Sequence, residues 1–337
     1  MIETSARATI ATVIEEFVRE ELSAENAHIA AAVADMLDAG GKHLRPRITM
    51  LSSRACEPGA LEDPVLAAYM EMIHVATLIH DDVVDNADVR RGVQSTNRAF
   101  GNRFSVLAGD YLFSWVFKKV TQSYPQPVPT ILAAMLAEIC NGEVRQLRAE
   151  GNADLPEAAY SEIIGKKTAE LFAACAECGA IVAVAAKRPT NGAEVRDMQR
   201  IKALRAYGWS FGMAFQVRDD LLDAIADEET LGKPAGSDLR EKKVTLPLIN
   251  ALRSGGPSVR AAVDGLFARD DASAPEAEGD LAAVVDAIRS SRAVELTTAS
   301  IERYVDAAET SLLALAPSEA RDELAAIARS LTDMGRP

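Results

Sequence analysis

The chain has 337 residues, 48% of them apolar, and carries a formal net charge of −14 with a pI near 4.9. It is long enough to bury a substantial core, and its acidity argues against a nucleic-acid partner, because phosphate backbones are bound by basic surfaces. The N-terminal region mixes acidic and apolar residues unlike a secretory signal or a transit peptide, and no apolar run approaches the ~20 residues of a membrane span. We therefore expect a cytoplasmic protein with no membrane span. Cys175 and Cys178 lie one turn apart in an Ala-rich helical run, which indicates reduced core cysteines.

Nearly every long segment predicts a helix, because the strong helix formers Ala, Leu, Glu and Arg dominate the chain. Residues 9–22 repeat apolar side chains at the spacing of one helical face. No run alternates with the period of a strand for long enough to predict a sheet, and no linker divides the chain. We predict an all-α protein in which residues 1–337 form one domain. More apolar segments, which predict helices buried on most sides, are 65–87, 160–186, 195–223 and 281–315.

The first chemical signal along the chain is the turn GGKHLRP, residues 40–46. It opens a helix and places Lys42 and Arg45 one turn apart. Such a pair alone is more often a surface charge than a ligand site. Its interpretation depends on the acidic clusters that follow.

The first acidic cluster lies in LIHDDVVDNADVRRG, residues 78–92. On a helix, Asp81 and Asp85 are four residues apart and Asp82 and Asp85 are three apart, so the three carboxylates share a face. Like charges at this spacing destabilise a helix by about 0.2–0.5 kcal/mol per pair. A solvated acidic face is one explanation. However, the cluster directly follows the apolar run VATLI, so we expect it to emerge from a buried helix.

A second cluster in FQVRDDLLD repeats the pattern with Asp219, Asp220 and Asp223, again at the end of an apolar helix. If the two clusters faced each other, they would line a cleft suited to hard cations. Ligands that are all oxygens point to Mg²⁺ or Ca²⁺ rather than zinc. Mg²⁺ takes only one or two carboxylates and completes its coordination with water and substrate phosphates. The pattern therefore predicts a phosphorylated ligand.

Basic residues lie beside both clusters. Arg90 and Arg91 follow the first, Lys233 follows the second, and Lys166 and Lys167 begin the buried helix between them. Each alone would be a surface charge more often than not. Together with GGKHLRP they indicate two cationic pockets, one for each of two diphosphates.

At this point the sequence resembles the trans-prenyl diphosphate synthases. GGKHLRP, HDDVVDNADVRRG, GKKTAE and FQVRDDLLD with the following GKPAGSDLREKKVTLP are similar to the motifs of that family, in its order, across about residues 40–247. The resemblance implies a large helical bundle of the isoprenoid synthase type, with about a dozen helices around a central cavity, and a homodimer. It also implies condensation of isopentenyl diphosphate with an allylic diphosphate.

The resemblance also implies residue roles. The direct magnesium ligands would be Asp81, Asp85 and Asp219, and the carboxylates acting through water or from behind them would be Asp82, Asp220 and Asp223. The isopentenyl diphosphate would be held by Lys42, Arg45, His74 and Arg91. His74 lies two turns before Asp81 and so shares its face. The allylic substrate would be surrounded by Arg90, Lys167, Thr168, Gln216 and Lys233.

The expected reaction begins with ionisation of the allylic C–O bond, helped by three Mg²⁺ ions in the scheme that the resemblance implies. Isopentenyl diphosphate then attacks the cation, and the released pyrophosphate takes the proton, since no protein base stands out. Phe215 and Gln216 could stabilise the cation through the ring quadrupole and the amide dipole.

A long all-trans product is expected, because Ala76 and Thr77 are small where short-chain members of the resembling family carry bulky aromatic residues. Further from the acidic clusters, the path of the growing prenyl chain could be closed by a large side chain of the next helix, at Tyr111, Leu112, Trp115 or Phe117. The alternatives are a short-chain (farnesyl or geranylgeranyl) synthase, a terpene cyclase and a non-catalytic partner subunit of a hetero-oligomeric synthase. A cyclase would leave GGKHLRP unexplained, and a non-catalytic subunit should have lost one acidic cluster.

Overall fold

The computed structural model describes residues 12–13, 29, 43–90, 93–186, 193–225, 236–269 and 277–333. Helices dominate these residues, which confirms the all-α prediction. In chain order they are α1 (Leu44–Cys56), α2 (Pro64–Val84), α3 (Thr96–Phe100), α4 (Asn102–Ser123), α5 (Val128–Ala149), α6 (Glu157–Ile164), a π-helical segment (Gly165–Ala169), α7 (Glu170–Ala185), α8 (Ala193–Ile225), α9 (Ser237–Arg240), α10 (Leu246–Ser254), α11 (Gly256–Phe267), α12 (Glu278–Ser290), α13 (Ala293–Leu312), α14 (Glu319–Arg329) and a 3-10 turn (Ser330–Thr332).

The chain divides into two compact units. Unit 1 comprises Met1–Ala133, Cys175–Leu204 and Leu315–Arg321, and unit 2 comprises Ala134–Ala174, Arg205–Ala314 and Asp322–Pro337. The single-domain organisation stays a prediction.

Unit 1 is built around α2, which packs on α1 and α4. Asp63 caps its first turn by accepting a hydrogen bond from the Leu66 amide at 2.9 Å, and Pro64 suits the first helical position. Edge-on contacts of Tyr69 with Trp115 (5.9 Å) and Tyr124 (6.4 Å) bind α2 to α4 and the residue after it. Buried residues continue along α2 from Leu66 to Asp82, into the turn that carries the first acidic cluster.

In unit 2 the π-helical segment packs closely on α8. A Cβ on Gly212 would lie 2.5 Å from Ala169 Cα, and one on Gly208 would lie 2.4 Å from the Phe172 carbonyl oxygen. Only glycine allows this approach. The rings of Phe172, Phe211 and Phe215 pack together beside it, with centroids 5.0–6.2 Å apart.

Three features differ from the sequence prediction. Strands β1 (Val89–Arg90) and β2 (Val93–Gln94) pair antiparallel where no strand was predicted, because two-residue strands are too short to give a periodic signal. The segment 281–315 is not one helix: α12 ends at Ser290, and the Ser291 hydroxyl accepts from the Ala293 amide at 3.2 Å where α13 begins. The segment 160–186 is interrupted by the π-helical segment.

One helical stretch among the described residues, 157–185, is long and apolar enough to cross a membrane by length and composition. The sequence reading had found no such run. However, 78% of that stretch is buried inside the protein, which is typical of a core helix.

Candidate active site

The first acidic cluster occupies the last turn of α2 in unit 1. Asp82 is fully buried, whereas Asp81 and Asp85 are half-buried. The Asp85 amide donates to the Asp81 carbonyl oxygen at 2.8 Å, and Asp85 caps the end of α2. The three acidic residues predicted from spacing therefore lie together at the end of a buried helix, and two of them reach solvent.

Asp82 is held by Arg90 from strand β1. Two guanidinium nitrogens, Nε and Nη2, donate to Asp82 Oδ1 at 2.7 and 2.6 Å. Burial raises the pKa of Asp82, the Arg90 guanidinium opposes that rise, and Asp81 and Asp85 add to it. The other oxygen, Oδ2, is buried and has no hydrogen-bond partner among the described residues. The short hairpin that the sequence did not reveal therefore sets the position of Arg90.

The predicted basic pocket of unit 1 is described only in part, because Lys42 and Arg91 lie outside the described residues. Arg45 lies half-buried in the first turn of α1, and His74 lies half-buried on α2. Between these two helices, His43 Nδ1 lies 3.4 Å from a carboxylate oxygen of the buried Glu71. Sequence reasoning did not single out Glu71, because a single acidic residue in an apolar helix forms no recognisable motif.

The second acidic cluster lies on α8 in unit 2. Asp219 is exposed, whereas Asp220 and Asp223 are buried. Asp223 holds the start of α9: its Oδ2 accepts from the Asp238 amide at 3.0 Å, and its carbonyl oxygen accepts from the Gly236 amide at 2.8 Å. The predicted Lys233 lies just before that point, outside the described residues.

Asp220 accepts hydrogen bonds on both oxygens. The Tyr160 hydroxyl donates to Oδ2 at 2.6 Å, and Gln216 Nε2 donates to Oδ1 at 2.7 Å. Burial raises the pKa of Asp220 to about 7, and these two hydrogen bonds oppose the rise. The Gln216 carbonyl oxygen in turn accepts from the Thr168 hydroxyl at 2.7 Å. Thus Thr168, Gln216 and Asp220, each predicted separately, form one connected group, and Tyr160 is a member that the sequence reading missed.

Lys167 and Thr168 lie on the π-helical segment, a distortion that is frequent at functional sites. The Lys167 ammonium group lies 2.7 and 2.8 Å from the two carboxylate oxygens of Glu143 on α5. Lys166 points instead to Glu138 on the same helix. Sequence reasoning missed Glu143, because its pairing with Lys167 depends on how α5 packs.

Phe215 is half-buried beside Phe172 and Phe211, one residue before Gln216. In unit 1, Ala76 is fully buried on α2 and Thr77 is half-buried, with its hydroxyl donating to the His74 carbonyl oxygen at 2.7 Å. The larger side chains named as limits to product length lie on α4, where Leu112 and Trp115 are buried and Tyr111 and Phe117 are half-buried.

Within the residues that the structure describes, no three carboxylate, imidazole or thiol groups converge closely enough to hold a metal ion by themselves. The six carboxylates also separate by exposure. Those that reach solvent are Asp81, Asp85 and Asp219, and those buried against donors of the chain are Asp82, Asp220 and Asp223.

Comparison with known proteins places these features in a family. Residues 26–287 match the family model described as polyprenyl synthetase. The chain is 35% identical over 308 residues to heptaprenyl diphosphate synthase component 2 of Geobacillus stearothermophilus, covering 91% of this chain and 90% of that one. It is 36% identical over 297 residues to octaprenyl diphosphate synthase of Escherichia coli, covering 87% and 86%. A crystal structure of a decaprenyl diphosphate synthase from Rhodobacter capsulatus superposes with a TM-score of 0.85 at 33% identity, covering 99% of this chain and 97% of that one.

Proposed function

The chain belongs to the polyprenyl synthetase family and is a prenyltransferase, and from that premise we propose that it makes a long-chain all-trans polyprenyl diphosphate. The reaction is a Mg²⁺-dependent head-to-tail condensation of isopentenyl diphosphate with an allylic diphosphate, and it releases pyrophosphate. We assign it to a cytoplasmic homodimer.

The observation that carries this proposal is the separation of the carboxylates in each cluster. Each Asp-Asp-x-x-Asp motif lies at or near the end of a helix, next to turns of that helix that are mostly buried, and presents at least one carboxylate to solvent. The remaining carboxylates are buried and held by Arg90, Tyr160, Gln216 or a backbone amide. A merely solvated acidic face would need no such internal donors. Buried carboxylates held in place are instead suited to fixing the accessible ones.

The accessible carboxylates Asp81, Asp85 and Asp219 would hold Mg²⁺, the hard cation that an all-oxygen donor set favours. When bound, Mg²⁺ neutralises negative charge on the departing diphosphate. Asp82 would keep the end of α2 in position, because its carboxylate is fixed by Arg90.

Two sets of cations would orient the two diphosphates. Arg45 and His74, with Lys42 and Arg91, would bind isopentenyl diphosphate, and Arg90 and Lys167, with Lys233, would bind the allylic diphosphate. Arg90 and Lys167 keep hydrogen-bond donors for a diphosphate in addition to their contacts with Asp82 and Glu143. A guanidinium has five N–H donors, of which Asp82 takes two from Arg90, and an ammonium has three, so the Glu143 carboxylate does not exhaust Lys167.

Three neutral groups would face the developing allylic cation. Phe215 would offer its ring face, and Gln216 and Thr168 would offer oxygen dipoles. The Phe215 ring is supported by Phe172 and Phe211, so its orientation is set before substrate binds. The proton lost after attack would go to the released pyrophosphate.

The long-chain assignment is supported by the small side chains at Ala76 and Thr77 on α2. The three relatives compared above are named for heptaprenyl, octaprenyl and decaprenyl products. With no large side chain at this level, a growing prenyl chain would meet its first obstacle deeper along α4. A short-chain synthase is the competing candidate within the same family.

The test incubates purified protein with labelled isopentenyl diphosphate, farnesyl diphosphate and Mg²⁺, and resolves the products by length. We expect products beyond geranylgeranyl diphosphate, loss of turnover in excess EDTA and its return with Mg²⁺. Turnover that persisted in EDTA would refute the metal-dependent reaction. A terpene cyclase would consume the allylic diphosphate without isopentenyl diphosphate, and a non-catalytic subunit would do neither.

Two carboxylate variants sharpen the test. Asp81→Asn and Asp219→Asn should each lower kcat by at least about 100-fold, because each removes a proposed metal ligand. The matched control is Asp306→Asn, which alters another exposed helical aspartate, on α13. Equal activity in the three variants would contradict the ligand assignment.

A further inference from the structure

A buried chain of hydrogen bonds in unit 2 connects α6, α8 and the π-helical segment. It runs from the Tyr160 hydroxyl to Asp220, from Asp220 to the Gln216 amide, and from there to the Thr168 hydroxyl, with distances of 2.6, 2.7 and 2.7 Å. Tyr160 is 3% exposed, Asp220 5% and Thr168 8%. Tyr160 therefore does not reach solvent, and within the described residues its hydroxyl donates to Asp220.

The Asp220 carboxylate is the acceptor at the centre of this chain, with the Tyr160 hydroxyl and the Gln216 amide donating to it from two sides. The hydroxyl occupies Asp220 Oδ2, which leaves Oδ1 for the Gln216 amide nitrogen. With its nitrogen bound to Asp220, the Gln216 side chain must turn its oxygen toward the Thr168 hydroxyl. Because an ionised carboxylate only accepts, Asp220 itself selects the nitrogen end of the Gln216 amide. Without the Tyr160 hydroxyl, the Asp220 carboxylate loses one of its two donors, so its position, and with it the position of the Gln216 amide, is less constrained.

The hydroxyl is not needed for packing alone. Burying a phenol and a carboxylate side by side disfavours folding unless each is hydrogen-bonded, and a phenylalanine would fill the same volume at no such cost. Tyr207 on α8 offers a direct comparison. It is also fully buried in unit 2, and its hydroxyl donates to the Leu324 carbonyl oxygen at 2.8 Å, away from the acidic cluster.

We propose that Tyr160 is a positioning residue for the allylic half of the reaction, which acts through Asp220 to hold the Gln216 amide and the Thr168 hydroxyl in the orientation that stabilises the allylic cation. This role rests on the proposed function, because it presumes that Gln216 and Thr168 face the allylic substrate. Tyr160 itself touches no substrate.

The test compares Tyr160→Phe with Tyr207→Phe, since each variant removes one buried hydroxyl and one hydrogen bond. The two should lose similar thermal stability. Only Tyr160→Phe should lower kcat, by about tenfold, as expected when a hydrogen bond to a charged group is removed from a preorganised site. Its KM for isopentenyl diphosphate should stay within about twofold of wild type, because that diphosphate is held elsewhere.

Two further measurements separate positioning from general damage. Calorimetric titration with farnesyl diphosphate and Mg²⁺, without isopentenyl diphosphate, should give a Kd raised about threefold in Tyr160→Phe and unchanged in Tyr207→Phe. In a Gln216→Ala background, Tyr160→Phe should lower kcat by no more than about twofold, because the group through which it acts is gone. Asp220→Asn interrupts the same chain of hydrogen bonds and should lower kcat as much as Tyr160→Phe does. It therefore replaces Tyr160→Phe in the test if Tyr160→Phe cannot be purified in folded form.

A wild-type protein without condensation activity would refute the proposed function rather than the role of Tyr160. With wild type active, the role of Tyr160 is overturned by a Tyr160→Phe enzyme no slower than Tyr207→Phe, or by an equal loss in the Gln216→Ala background. It is also overturned if Asp220→Asn retains wild-type kcat.

Discussion

Replacing Arg90 with alanine should destabilise the metal-free protein markedly, because Arg90 provides both hydrogen bonds to the fully buried Asp82. Removing one partner of a buried ion pair costs about 3–5 kcal/mol. The Arg90 side chain is 29% exposed, so water can partly replace it and we expect the lower end, about 3 kcal/mol. In a chain of this size that corresponds to a fall in Tm of about 4 °C.

The same variant should show a pH dependence of known sign. Burial already raises the pKa of Asp82 above its ordinary 3.8, and Arg90 opposes the rise, so the pKa should rise further without it. A carboxyl group whose folded-state pKa exceeds its unfolded value takes up a proton on folding. Its contribution to stability is present below the unfolded pKa and is lost as the pH rises through the folded pKa. The deficit of Arg90→Ala should therefore grow as the pH rises above the unfolded-state pKa and shrink as the pH falls back toward it.

The assay is thermal unfolding followed by circular dichroism in EDTA, so that neither metal nor substrate contributes. Arg98→Ala is the matched control: Arg98 is 64% exposed and lies 3.7 Å from the exposed Asp88, and its loss should cost no more than about 0.5 kcal/mol. The double variant Asp82→Asn/Arg90→Ala should recover most of the lost stability, because no buried charge is left unpaired. If Arg90→Ala were as stable as Arg98→Ala at every pH, the buried pair would not have the role given to it.

Three other outcomes are expected. Ala76→Tyr should shorten the products, read out by chromatography, because a tyrosine would close the prenyl path beside α2; unchanged product length would refute that path. Lys42→Ala should raise the KM for isopentenyl diphosphate more than for the allylic diphosphate, and Lys167→Ala should do the reverse, so equal effects on both substrates would rule out two separate pockets. Iodoacetamide should modify the exposed Cys140 first in the folded protein, while Cys175 resists because burial raises the pKa of its thiol to about 12; mass spectrometry that found Cys175 modified as fast would contradict its burial.

Part of this protein could be predicted from its sequence because the responsible forces act over short distances along the chain. Helix-forming and apolar composition are local properties of the chain, and they were sufficient to predict α2 and α8 nearly to their ends. Helical spacing placed Asp81, Asp82 and Asp85 on one face at the end of α2. The order of motifs was sufficient to indicate the family.

Other features were decided by tertiary structure, because they join residues far apart in the chain. No spacing rule connects Tyr160 with Asp220, 60 residues later, or Glu143 with Lys167, 24 residues later. Local patterns are also too short to reveal the two-residue hairpin that carries Arg90 to Asp82. The sequence therefore determines where the acidic residues lie along each helix. Tertiary packing determines which of their carboxylates are buried and paired and which remain open to a ligand.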